Sequence, residues 1–141
     1  MTQIFFYHNA KDRLLAAANL IKKAFRQKKV LSVYAPDPEI ADRLDRHLWM
    51  YPPTGFIPHV KAPSPLASET PILIASDPEQ LSWHERLLNL SAEIPSGFSR
   101  FSSVIEIVSG DEEERIAGRS RAKYYKDRGY EIRFFDLSEE D

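Results

Sequence analysis

The sequence predicts an α/β protein, three layers deep, with helices on both faces of a mainly parallel central sheet; a mixed strand pair is left open. Three observations lead there. Short apolar or aromatic runs, such as "VLSVYA" and "SSVIEIVS", have the length and β-branched content of buried strands. They alternate with segments of helical period, which is the rhythm of βαβ units. The chain has 141 residues, 43% hydrophobic and 28% charged, the size and make-up of one globular domain over 1–141.

"QIFFYH" (Gln3–His8) reads as a first, buried strand. "NAKDRLLAAANLIKKAFRQKK" follows as an amphipathic helix with Leu14, Ala18, Ile21 and Phe25 on one face. "VLSVYA" (Val30–Ala35) is the second strand. The next helix opens with Asp37 as N-cap and Pro38 at its first position, buries Ile40, Leu44 and Leu48, and stops at Pro52 and Pro53. Thr54 to Thr70, with three prolines among small and polar residues, reads as a long loop and not as an element. "PILIAS" (Pro71–Ser76), Arg86–Ser91 and "SSVIEIVS" (Ser102–Ser109) are strands, with a short helical turn at "SGFSRF". The last helix starts at Asp111 and three glutamates, which suit the positive end of its dipole, and stops at Gly129. "YEIRFFDL" closes the sheet, and 138–141 form an acidic tail expected to fray. The architecture is Rossmann-like, but no two glycines lie close enough for a dinucleotide fingerprint or a P-loop.

Composition excludes several functions. The net charge of −2 draws the protein to no polyanion as a whole, so any such affinity needs a local patch. There is no cysteine, so no disulfide or thiolate metal site, and a cytoplasmic setting fits. No apolar run approaches the roughly 20 residues of a membrane helix. His8, His47, His59 and His84 are not paired at ligand spacing, and neither a metal nor a cofactor is expected. His8 and Asn9, after the first strand, sit where open α/β sheets bind ligands. A small α/β enzyme using His8 as a general base is one reading, and a plain polar strand end is the simpler one.

Two features carry more. In "LWMYPPTGFIPH" (Leu48–His59), Trp49, Met50, Tyr51, Phe56 and Ile57 crowd a helix end and a proline-rich loop. They either fold onto the core or form a patch for a protein partner. In the last helix, Arg115, Arg119, Lys123 and Lys126 recur at steps of four, four and three on one stripe. Like charges at that spacing repel by roughly 0.2–0.5 kcal/mol per pair. No acid is interleaved between the four basic residues of the row after Glu114, and Tyr124 and Tyr125 stand beside it. A cationic row with an aromatic edge suits an acidic peptide or its terminal carboxylate. It would also suit a phosphate backbone, with the tyrosines as stacking groups for single-stranded DNA.

Two blocks resemble the chi subunit family of bacterial DNA polymerase III. "DRLDRHLWMYPPTGFIPHVKA…PILIA" (Asp42–Ala75) is similar to that family's helix ending in "LW", its "F-hydrophobic-P-H" loop and the following strand. "RSRAKYYKDRGY" (Arg119–Tyr130) is similar to its last helix. The resemblance implies a non-catalytic accessory subunit of the DNA-directed DNA polymerase in DNA replication, cytoplasmic and not on a membrane. It implies pairing with the psi subunit, through which it meets the clamp loader. It also implies a grip on the acidic C-terminal tail of single-stranded-DNA-binding protein, hence only indirect contact with nucleic acid. On this view Arg119 and Lys123 bind the tail, with Arg115 and Lys126 adding charge and Val108 an apolar side. Ala122 stands where the family has a tyrosine, so Tyr124 or Tyr125 is expected to supply the aromatic surface. Phe56 would meet psi, with Trp49, Ile57, Pro58 and His59 as neighbours. Lys123→Glu is expected to nearly abolish tail binding.

Overall fold

The computed structural model describes residues 1–50, 59–61, 72–81 and 85–139. Its seven strands are β1 (Gln3–Ala10), β2 (Leu31–Tyr34), β3 (His59–Lys61), β4 (Ile72–Ala75), β5 (Arg86–Asn89), β6 (Ser103–Ser109) and β7 (Ile132–Asp136). The helices are α1 (Arg13–Arg26), α2 (Pro38–Met50) and α3 (Glu112–Asp127), with single 3₁₀ turns at Pro78–Gln80, Phe98–Arg100 and Leu137–Glu139. The sheet order is β3-β4-β2-β5-β6-β1-β7, and every neighbouring pair is parallel.

The inner strands are covered on both faces, which explains why they read as continuous apolar runs. All four residues of β4 are buried. One core lies between the sheet and α1 plus α2, where Ala17, Ala18, Ile21, Leu44 and Leu48 meet Leu31, Val33, Leu88 and Ile107. The other lies between the sheet and α3, where Ile4, Phe6, Leu87, Val104 and Val108 meet Tyr125 under Phe98 and Phe101. Strand alternation divides β6 between them: Ile107 faces the first core, Val104 and Val108 the second.

Local chemistry sets the ends. The Asp12 carboxylate caps α1, accepting from the Leu14 and Leu15 N–H groups at 2.9 and 3.2 Å. Asp37 does the same for α2, accepting from the Glu39 N–H at 3.0 Å. Two expectations fail. The span 54–70 is not all loop, because His59–Lys61 pairs with β4 as the edge strand β3. Three residues are too few to show a strand period. On α1 the buried stripe is Ala17, Ala18, Ile21 and Ala24, and Phe25 is partly exposed. Small side chains let the helix approach the sheet closely, and a phenylalanine ring on that face would hold it off.

Candidate peptide-binding site

A buried polar network sets the rotation of α3. Glu106, in the middle of β6, is fully buried and faces α3. Its carboxylate accepts from Arg121 Nε at 2.9 Å, from the Tyr125 hydroxyl at 2.7 Å and from Asn89 Nδ2 at 2.9 Å. Arg121 Nη1 also donates to the Ala92 carbonyl at 3.2 Å. Burial, followed by the Glu106 charge and hydrogen bond, pushes the Tyr125 hydroxyl far above the ordinary tyrosine range. Gly118 completes the inner face: a Cβ there would lie 2.6 Å from Val108 Cγ2, so only glycine lets α3 settle on β6 at this point.

With Gly118, Arg121 and Tyr125 turned inward, the neighbouring stripe turns to solvent. A cavity of about 420 Å³ opens there, lined by Arg115, Gly118, Arg119 and Ala122 from α3, Val108 and Ser109 from β6, Phe6, His8 and Asn9 from β1, and Phe134 from β7. Its size is that of an ordinary ligand site. Arg119 is exposed and has no ion-pair or hydrogen-bond partner among the described residues. Arg115 lies 3.8 Å from Glu112, with both side chains largely in water. Another acid of the same helix, Glu114, is turned back to accept from the Ser109 N–H at 3.2 Å. At the rim, Asp136 accepts from Ser138 and Asn9, and the bonds from Ser138 hold its carboxyl down to about 2.

The stripe is therefore divided. Arg115, Arg119 and Val108 come together in one cavity. Lys123 and Lys126 are exposed but do not line it. Lys123 Nζ donates to Asp127 at 2.6 Å, an acid the row contains one turn later, and this bond holds the Asp127 carboxyl below its usual range. The two tyrosines do not form the edge expected of them. Tyr125 is fully buried on Glu106. Tyr124 lies nine residues from Arg115, half a turn round the helix. Its ring packs with Phe98 and Tyr125, and the Arg128 guanidinium covers it 3.5 Å from the centroid. The sequence reading missed the cavity's aromatic surface, Phe6 and Phe134. The signal was present in β7, where alternation puts Ile132 and Phe134 on the α3 face and Arg133 and Phe135 on the other.

Of the second group, Trp49 falls in the last turn of α2 and His59 opens β3. Phe56, Ile57 and Pro58 lie outside the described residues.

On the opposite side of the carboxyl edge lies a second cavity of about 370 Å³, bordered by Asp12, Arg13 and Arg43, and the protein's own side chains already engage the backbone groups around it. Arg13 lines it beyond β5 and β6, donating from Nε to the Ile107 carbonyl at 2.8 Å and from Nη2 to the Ser91 carbonyl at 2.9 Å. Burial there lowers its pKa from the usual arginine value. The α1 N-terminus, where a phosphate would sit in such folds, already holds the Asp12 carboxylate. No cluster of three metal-ligating side chains occurs among the described residues, and no described helix is long and apolar enough to cross a membrane. His8 does line the cavity, but none of the described residues makes a hydrogen bond that would orient its imidazole as a general base needs.

Fold and cavity together define a parallel α/β protein with a groove at one end of its sheet that pairs two arginines with apolar and aromatic side chains. Comparison with known proteins narrows this. Residues 1–133 match the family described as DNA polymerase III chi subunit, HolC. The chain is 29% identical over 136 residues to DNA polymerase III subunit chi of Pseudomonas aeruginosa, covering 94% of both chains. It is 27% identical over 117 residues to DNA polymerase III subunit chi of Haemophilus influenzae, covering 82% of this chain and 81% of the relative. The chain belongs to the DNA polymerase III chi subunit family, and so is an accessory subunit of the replicative polymerase.

Proposed function

We infer that this non-catalytic subunit joins two partners: the acidic C-terminal tail of single-stranded-DNA-binding protein at the Arg115–Arg119 cavity, and the psi subunit at the 48–59 segment. Psi would in turn carry it to the clamp loader. The observation that carries the reading is the uncompensated Arg119 above an apolar floor. A guanidinium can fork onto a terminal carboxylate while the last side chain enters the cavity. Micromolar affinity corresponds to about 8 kcal/mol, within reach of three charged hydrogen bonds of about 1.5–3 kcal/mol each together with burial of the last side chain.

The layout suits a bridge. β3, which His59 opens, is one edge of the sheet and β7 is the other. Six inter-strand steps of about 4.8 Å separate them by roughly 29 Å, so the two partners need not collide. The rival of direct stacking on single-stranded DNA loses its means, because Tyr124 and Tyr125 are committed to an internal ring cluster.

Calorimetric titration with an acidic tail peptide tests the tail site. Arg119→Glu should weaken binding at least about tenfold, the loss of one charged hydrogen bond or more. Lys123→Glu should weaken it less, because Lys123 stands outside the lining and already faces Asp127. Binding should also weaken as salt rises. Unchanged affinity in Arg119→Glu would remove the site, and a gel shift with bare oligonucleotide would favour the DNA rival.

A further inference from the structure

The charge of the groove comes from α3, but α3 offers no aromatic wall. Its residues over the cavity are Gly118 and Ala122, and its tyrosines lie elsewhere. The sheet supplies what the helix lacks. Phe134 is 60% exposed on the edge strand β7, on the α3 face. Its ring stands 5.8 Å from that of buried Phe6 and meets the His8 ring edge-on at 6.3 Å. All three line the same cavity as Arg115 and Arg119.

The geometry points to Phe134, backed by His8, as the residue that reads the last side chain of the bound peptide. The inference rests on the tail-binding reading above and adds to it a division of labour. Arg115 and Arg119 hold the terminal carboxylate, and Phe134 packs against an apolar side chain carried on the same terminal residue. A chain end has its carboxylate and its side chain on one carbon, and the cavity has its cations and its exposed ring on facing walls. A large ring left mostly in water on an edge strand gains from being covered. A peptide whose last residue is small leaves it uncovered.

Short acidic peptides that differ only in the last residue, leucine, phenylalanine or alanine, are the probes, titrated by calorimetry into the full chain. The native protein should prefer the large apolar ends by roughly tenfold or more. Phe134→Ala should bring that preference to within about threefold while leaving the alanine-ended peptide unaffected. Phe134→Leu should keep part of it. Phe135→Ala is the control: it removes a ring of the same size from the same strand, but on the α1 face beside Phe5 and Tyr7, and should change nothing. If Phe134→Ala keeps the full preference while Arg119→Glu still abolishes binding, the assignment of Phe134 is wrong and the tail site stands. If no acidic peptide binds, or Arg119→Glu is without effect, the tail site fails and Phe134's role with it.

Discussion

Replacing Glu106 by glutamine removes one charge and almost no volume. The native carboxylate accepts three hydrogen bonds, from Arg121, Tyr125 and Asn89, with Arg121 and Glu106 both nearly inaccessible to water. Glutamine offers one carbonyl oxygen and an amide that itself donates, so at least one of the three donors is orphaned. Arg121 also keeps a buried charge with only the Ala92 carbonyl beside it. Breaking one side of a buried pair costs about 3–5 kcal/mol, against a total of roughly 5–15 kcal/mol for a whole domain. For a chain of this size each kcal/mol moves the midpoint by roughly 3–5 °C, so Glu106→Gln should melt about 10–20 °C below the native protein. Calorimetry or circular dichroism reads this directly. The apolar replacement Glu106→Leu, Arg121→Met and Tyr125→Phe together should recover much of the loss, because no charge is then left alone. A Glu106→Gln midpoint within about 3 °C of native, a loss of less than about 1 kcal/mol, would refute the claim that this network holds α3 on the sheet.

Two further outcomes follow from the same contacts. Gly118→Ala gains about 1 kcal/mol of helix propensity, but its methyl meets the stiff Val108 side chain at 2.6 Å. Overpacking costs about 1–3 kcal/mol, so thermal melts should show net destabilisation and titration a weaker peptide site; a stabilised variant would contradict the close approach. Tyr125, whose folded pKa is raised, adds stability that is fully present below about pH 10, the unfolded tyrosine pKa, and is lost as pH rises above it. Tyr125→Phe should therefore flatten the alkaline fall in stability, and a pH–stability slope unchanged above pH 10 would deny that Tyr125 is held neutral by the fold.

Most of the fold was legible because most of it rests on period. The runs in β2, β4 and β6 are mainly apolar because both faces are covered, and Asp37 as a cap and Asp111 as a helix-start acid announce α2 and α3. β3 was not legible because three residues carry no period and its pairing with β4 is a tertiary fact. The site was half legible for a related reason. The inner face of α3 is Gly118, Arg121 and Tyr125, so the helix lacks the apolar stripe by which an inner face is recognised. An arginine on that face looks like surface until its acid, Glu106, is found on a strand 15 residues away. Taking Tyr125 for surface was the consequence, and the ring that does border the cavity, Phe134, belongs to a strand that reads only as the sheet's last edge.

The buried and exposed basic residues of α3 answer different demands. Arg121 is neutralised by Glu106 and shut away, which serves the packing of the helix. Lys123 is answered by Asp127 in water. Arg115, Arg119 and Lys126 remain; the first two stand one turn apart at the cavity, with Glu112 loosely beside Arg115 and no partner among the described residues beside Arg119. Their mutual repulsion works against the helix, and folding gains nothing in return. A chain with a net charge of −2 has acids enough to compensate them, yet Glu114, on the same helix, is tied to the Ser109 backbone. A charge kept open beside Val108 and Phe134 costs the free helix some stability, and the acidic tail proposed above would bring the anion that the described residues do not supply.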